Sequence, residues 1–272
     1  MRGSLREKIG EGGTADIHVW APGQVVKLFK AGVPRQLGRH EARVIRAVFA
    51  AGVPAPEVLD EVTWEGRFGI VLQRLDGPTL LQLVQAGAMK RAQAGAILAT
   101  LHMSVHKTPP PSGTPTLLDW FDAASRAPSA IPKHISTGAL ALIERLPPGD
   151  GLCHGDLHPS NVIMTSDGPK IIDWAIAMRA AAAVDLARCH VILSDLAYAP
   201  DDLDPEQPRA FYAALQSEYA RLAGMSPSAL AATTELYLPI LRAFTLAEVV
   251  IHPARRAELI QRIEAALPSE DE

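Results

Sequence analysis

The densest chemistry in the chain lies between residues 154 and 174. It reads His154-Gly-Asp156-Leu-His158-Pro-Ser-Asn161, then an apolar strand, then Lys170-Ile-Ile-Asp173-Trp174. An Asp, an Asn five residues later and a second Asp twelve beyond that make a set suited to phosphoryl transfer. An in-line hydroxyl must be oriented and relieved of its proton, work that the Asp156 carboxylate can do. The phosphate oxygens need Mg²⁺, and the Asn161 amide and Asp173 carboxylate are the hard oxygen ligands which that ion takes.

The N-terminal part supplies groups that complement this set. Ile9-Gly10-Glu-Gly12-Gly13-Thr-Ala15 is a glycine-rich turn running into a strand. Such a turn lets backbone N–H groups approach a nucleotide phosphate without side-chain clash. Next comes Val25-Val-Lys27-Leu-Phe29, where strand alternation puts Lys27 on one face with two apolar neighbours. An ammonium there needs an anionic partner, and Glu41, in the helical segment that follows, is the candidate.

These groups need elements to hold them. Before Gly77 short β-rich runs dominate, at 17–20, 24–29 and 68–75. One helical segment interrupts them at 35–51, with Pro34 before it and Gly52 after it. Beyond Gly77 the pattern is mostly helical, with 79–84 and 92–102 at helical spacing and one β-like island from Leu152 to Trp174. The expected architecture is α+β: a small β-rich lobe, residues 1–76, and a larger helical lobe, residues 77–272.

The 272 residues are 48% apolar and 21% charged, which excludes a disordered chain. The net charge of −4 gives no reason to expect a nucleic-acid partner. Cys153 and Cys189 are too few for a disulfide framework and fit no zinc spacing. No stretch offers the roughly 20 apolar residues of a membrane span, and the N-terminus lacks the apolar core of a signal peptide. The expectation is a cytoplasmic protein with no membrane or nucleic-acid partner.

In its order and spacing of motifs, residues 9 to 188 resemble the aminoglycoside phosphotransferase and choline kinase family, which has a protein-kinase-like bilobal fold. The resemblance implies that Gly10, Gly12 and Gly13 cover the phosphates of ATP, that Lys27 holds the α- and β-phosphates, and that Glu41 orients Lys27. It further implies Asp156 as catalytic base or hydroxyl-positioning group, Asn161 and Asp173 as Mg²⁺ ligands, and backbone groups of Gln73 and Leu75 facing the adenine. Asp185 would be a brace. His154 and His158 read as backbone partners around Asp156, since zinc needs three or four ligands held together.

The sequence also departs from protein kinases. Ala15 stands at the third glycine, Gly155 replaces the arginine of His-Arg-Asp, and Trp174-Ala175 follows Asp173 in place of Phe-Gly. Only eleven residues separate Asp173 from Asp185, too few for a long activation loop. These differences point to a small-molecule hydroxyl acceptor. A nucleotide-binding pseudokinase and a protein kinase are the alternatives, the first disfavoured because every expected catalytic position is filled. Residues 77–272 carry 15 Lys/Arg against 21 Asp/Glu, with acids clustered at Asp201, Asp202, Asp204 and Glu206. That balance has two readings, solvated loop and tail residues that aid solubility or a rim that concentrates a cationic acceptor.

Overall fold

Five antiparallel strands open the chain: β1 (Lys8–Glu11), β2 (Ala15–Ala21), β3 (Gln24–Phe29), β4 (Val58–Trp64) and β5 (Arg67–Gln73), in the spatial order β1-β2-β3-β5-β4. The computed structural model describes residues 5–126, 131–195, 206–248 and 253–267. β3 lies in the middle and is buried on both faces, with Val26 and Leu28 almost wholly covered. Its register sets Lys27 opposite Ile17 on one side and Ile70 on the other. A lysine in that setting is flanked by apolar side chains and can direct its ammonium only into the cleft.

Helix α1 (Arg35–Ala50) follows Pro34 and lies against this sheet through Ala42, Ile45 and Val48. Gly38 sets how closely it packs. A Cβ there would stand 2.5 Å from the Phe68 ring and 2.7 Å from Phe29. A helical glycine costs about 1 kcal/mol against alanine, and here it lets the helix settle onto two stacked phenylalanines. Glu41 is one turn further on and is carried down to Lys27.

The rest is mainly helical: α2 (Leu80–Gln85), α3 (Arg91–His106), α4 (Leu117–Arg126), α5 (Lys133–Arg145), α6 (Ala182–His190), α7 (Glu206–Ala223), α8 (Pro227–Glu235), α9 (Leu238–Glu248) and α10 (Pro253–Glu264). One core runs from the sheet through α3 and α7, and a second gathers α4, α5, α9 and α10 around Phe121 and Phe244. Short ribbons sit between the cores: β6 (Gly151–Cys153) pairs with β9 (Met178–Ala180), and β7 (Val162–Thr165) pairs with β8 (Gly168–Ile171). Cys153 and Cys189 are free and buried. No helix among the described residues is long and apolar enough to cross a membrane.

The sheet has two strands more than the sequence pattern indicates. β1 is a mostly exposed Lys-Ile-Gly-Glu, and β4 holds Asp60 and Glu61 at its centre, so neither shows apolar alternation. The glycine-rich segment is therefore the turn of a β1–β2 hairpin, closed by the Gly12 N–H donating to the Ala15 carbonyl at 2.8 Å. The periodicity at 92–102 also stops short, because α3 continues to His106.

Candidate active site

A cavity of about 380 Å³ opens between the β1–β2 hairpin and the ribbons of the helical part. Gly10, Gly12, Gly13, Lys27, Glu41, Gln73, Leu75 and Asp173 all line it, and Val25, Leu72, Ile163 and Ile172 give it apolar walls. Lys27 is at its floor. The ammonium donates to Glu41 Oε1 at 2.7 Å and to Asp173 Oδ1 at 2.8 Å. Burial alone would lower the basicity of Lys27, but the two carboxylates outweigh it and hold the group above the ordinary lysine range. Gln73 uses its own N–H on the Glu57 carbonyl.

Helix α1 is also held from the far side. The buried His40 ring donates through Nε2 to the Ala177 carbonyl at 3.0 Å, and Arg43 donates to the Gly113 carbonyl at 2.9 Å. Both acceptors belong to the helical part, so Glu41 is fixed by contacts on either side of it.

Asp173 has φ +64°, a left-handed conformation that costs a non-glycine residue roughly 1–2 kcal/mol. The twist follows β8 directly and turns the carboxylate toward Lys27. Behind it Trp174 is fully buried, its ring tilted against the His154 ring with centroids 4.5 Å apart, and donates Nε1–H to the Ile171 carbonyl.

The loop from His154 to Asn161 is locked by its own side chains. His154 donates Nε2–H to the Ile172 carbonyl and accepts the Asp156 N–H at Nδ1, a neutral tautomer consistent with burial lowering its basicity. Asp185 accepts the N–H groups of His154 at 2.8 Å and Gly155 at 2.7 Å, and also receives His106 Nε2–H at 3.1 Å. It braces the loop from behind. Gly155 has φ +82°, and a Cβ there would stand 2.5 Å from the Ile176 carbonyl. Only glycine fits where the short segment after Asp173 crosses the loop, which accounts for His-Gly-Asp in this chain.

Asn161, at the end of a 3₁₀ turn begun by Pro159, donates Nδ2–H to the Asp156 carbonyl at 2.9 Å and to Asp156 Oδ2 at 3.2 Å. Its amide oxygen is thereby the end left for a cation. With the Asp173 carboxylate, whose side chain is half exposed, it makes an oxygen donor pair of the kind Mg²⁺ takes. The residues fit that ion.

Two groups on the other side of Asp156 are absent from the motif pattern. Arg188, on α6 and 4% exposed, donates Nε–H and Nη2–H to Asp156 Oδ1 at 3.3 and 3.2 Å, and Nη1–H to the Thr245 hydroxyl of α9 at 2.7 Å. Burial pushes the Asp156 carboxyl up, but His158 and Arg188 outweigh it and hold it at about 2. The sequence signal for Arg188 is weak: an arginine within Ala183–Leu193, a stretch that is mostly apolar but also holds Asp185 and His190.

A five-stranded sheet with one helix, joined to a helical part that carries the Asp156 loop, is the bilobal protein-kinase-like fold. Similar solved structures share it. An amicoumacin kinase aligns with a TM-score of 0.67 and 11% identity over 97% of this chain and 87% of its own. An aminoglycoside-3'-phosphotransferase of type VIII aligns at 0.60 with 22% identity, over 89% and 93%. A choline/ethanolamine kinase family protein from Mesorhizobium loti aligns at 0.54 with 18% identity, over 99% and 89%. Among curated proteins none matches the chain. Residues 9–269 match the phosphotransferase enzyme family, and the chain belongs to that family.

Proposed function

We propose that this phosphotransferase transfers the γ-phosphoryl group of ATP, with Mg²⁺, to a hydroxyl of a small molecule. Residues 1–76 act as the nucleotide-holding lobe and 77–272 as the lobe of transfer and acceptor binding. The observation that carries the reading is the Lys27 ammonium, joined to both Glu41 and Asp173 at the floor of a cavity roofed by the glycine hairpin.

In this reading the hairpin backbone at Gly10, Gly12 and Gly13 lies over the phosphates, and Lys27 meets the α- and β-phosphates while Glu41 keeps it extended. Val25, Leu72, Ile163 and Ile172 enclose the base. Gln73, with its N–H spent on Glu57, offers the base only its carbonyl side, and Leu75 lies next along the same edge. Asn161 and Asp173 would hold Mg²⁺, which when bound neutralises charge on the phosphate oxygens. Asp156 orients the acceptor hydroxyl. A carboxyl held at about 2 is a weak base toward an alcohol, so its main contribution is a fixed acceptor for the hydroxyl proton, taken up as the new P–O bond forms.

The acceptor is a small hydroxylated molecule. Related structures contain streptomycin with ADP and kanamycin with GDP, both polyhydroxylated and cationic, and the acidic balance of residues 77–272 supports a cationic acceptor. The acidic residues Asp201, Asp202 and Asp204 lie outside the described residues. A coupled ADP-release assay over amino sugars, amino alcohols and neutral polyols tests the proposal. Acceptor-dependent ADP release in the presence of Mg²⁺ is the expected result. ATP binding without transfer to any acceptor would favour a nucleotide-binding regulatory module instead.

A further inference from the structure

We infer that Arg188 is a positioning residue for the transfer, holding the Asp156 carboxylate in one orientation by tying it across the lobe to Thr245 of α9. The inference rests on the reading of Asp156 given above and adds a residue to it.

The geometry is that of a strut. The Arg188 guanidinium is planar and carries donors on two edges. Nε and Nη2 share Asp156 Oδ1 at 3.3 and 3.2 Å, while Nη1 reaches the Thr245 hydroxyl at 2.7 Å. Thr245 has no freedom to yield, because its own proton goes to the Leu241 carbonyl at 2.8 Å and the residue is fully buried. Phe244 packs beside the guanidinium, its ring centroid 5.9 Å from Cζ. The strut thus ends on a rigid helix, and helix-borne support holds a reacting group more tightly than a loop does.

The opposite edge of the carboxylate is held too. Asn161 Nδ2 lies 3.2 Å from Oδ2 and His158 Nε2 lies 3.5 Å from it. Gripped at both oxygens, the carboxylate cannot rotate, yet about a quarter of the side chain remains open to solvent. That open part is where an acceptor hydroxyl must arrive. Arg188 itself is buried behind the carboxylate and does not meet the acceptor directly. It prepays the ordering of Asp156, so the hydroxyl meets a carboxylate already in place. A cation placed only to balance the buried acid Asp185 would be aimed there. Asp185 is instead satisfied by two backbone N–H groups and His106.

The test compares the wild type with Arg188→Ala and Arg188→Lys, using kanamycin, choline and water as phosphoryl acceptors. ATP affinity and thermal stability are measured alongside. Misplacing a reacting group by about 1 Å costs on the order of 10²-fold, so kcat in Arg188→Ala should fall by about that factor with KM for ATP little changed. Millimolar guanidinium ion should restore part of the rate. Arg188→Lys keeps the charge without the fork and should fall between the two. Should Arg188→Ala fail to fold, Arg188→Lys decides: a wild-type kcat there overturns the inference. In crystals with magnesium and AMP-PNP, the Asp156 carboxylate should be rotated in the alanine variant, and an unmoved carboxylate overturns the inference. Equal turnover in Arg188→Ala and wild type overturns it as well, leaving the phosphotransferase reading standing. A wild type that moves phosphate to none of these, nor to any amino sugar, amino alcohol or neutral polyol of the wider screen, overturns both.

Discussion

On the cavity side of Asp156, backbone pairing places the candidate reactive groups. Lys27 is fixed by strand register between Ile17 and Ile70, the glycines by a hairpin turn, and Asn161 and Asp173 by the ends of the β7–β8 ribbon. On the opposite side Arg188 and Thr245 are brought together by helix packing, 57 residues apart on α6 and α9. Strand register has a period of two residues and is closed by hydrogen bonds, so a one-residue slip would reverse every side chain. Helix packing depends on which side chains interlock, and many sequences satisfy it. The proposed phosphate and metal ligands thus sit in the part whose geometry is rigidly specified. The helical support behind Asp156 can be rebuilt by exchanging helices.

The largest effect on stability should come from breaking the cavity side. Lys27→Ala leaves the Glu41 carboxylate, 1% exposed, without its cation. Removing one partner of a buried pair costs ~3–5 kcal/mol, and urea unfolding should show a loss of that order together with weakened ATP binding. A loss below about 1 kcal/mol would mean that the pair is solvated and the cavity floor looser than described.

Gly155→Ala probes the junction of the two sides. The residue would have to keep φ +82° while its Cβ approaches the Ile176 carbonyl. Strain of this kind costs ~1–3 kcal/mol, and the loop would shift to relieve it. Turnover should drop by more than the loss of folded protein explains. Unchanged activity and melting temperature would show that His-Gly-Asp has no steric cause.

This junction also shows what the sequence reveals. Asp156, Asn161, Asp173, Lys27 and Glu41 are legible because each sits at a fixed offset within a short ribbon, strand or helix, and the structure brings Lys27, Glu41 and Asp173 into direct contact. β1 and β4 are not legible, since charged residues interrupt their alternation. The left-handed turn at Asp173 has no glycine to signal it. Arg188 is signalled only by its mostly apolar neighbours, and its partner on α9 is not legible at all.

A pH-dependent effect concerns the packing behind the loop. Burial holds the fully covered His102 ring neutral, with its pKa lowered to about 3 from an ordinary 6.5. The unfolded chain therefore binds a proton that the native state does not. The stability associated with neutral His102 is complete above pH 6.5 and is lost as pH falls toward 3. One such group contributes about 1.4 kcal/mol per pH unit across that window. Urea midpoints at pH 7 and pH 5 should differ less in His102→Gln than in the wild type. Parallel pH dependences in the two proteins would show that the ring is not held neutral.

The claim that binding and transfer part at Asp156 is tested most directly by comparing wild type and Asp156→Asn in one pair of assays, ATP calorimetry with Mg²⁺ and acceptor-dependent ADP release. The amide keeps the shape but loses the charge. A transition-state role predicts a fall in kcat of ~10²–10⁴-fold with ATP affinity nearly unchanged. Near wild-type turnover in the variant, or loss of ATP binding in step with turnover, would contradict the account.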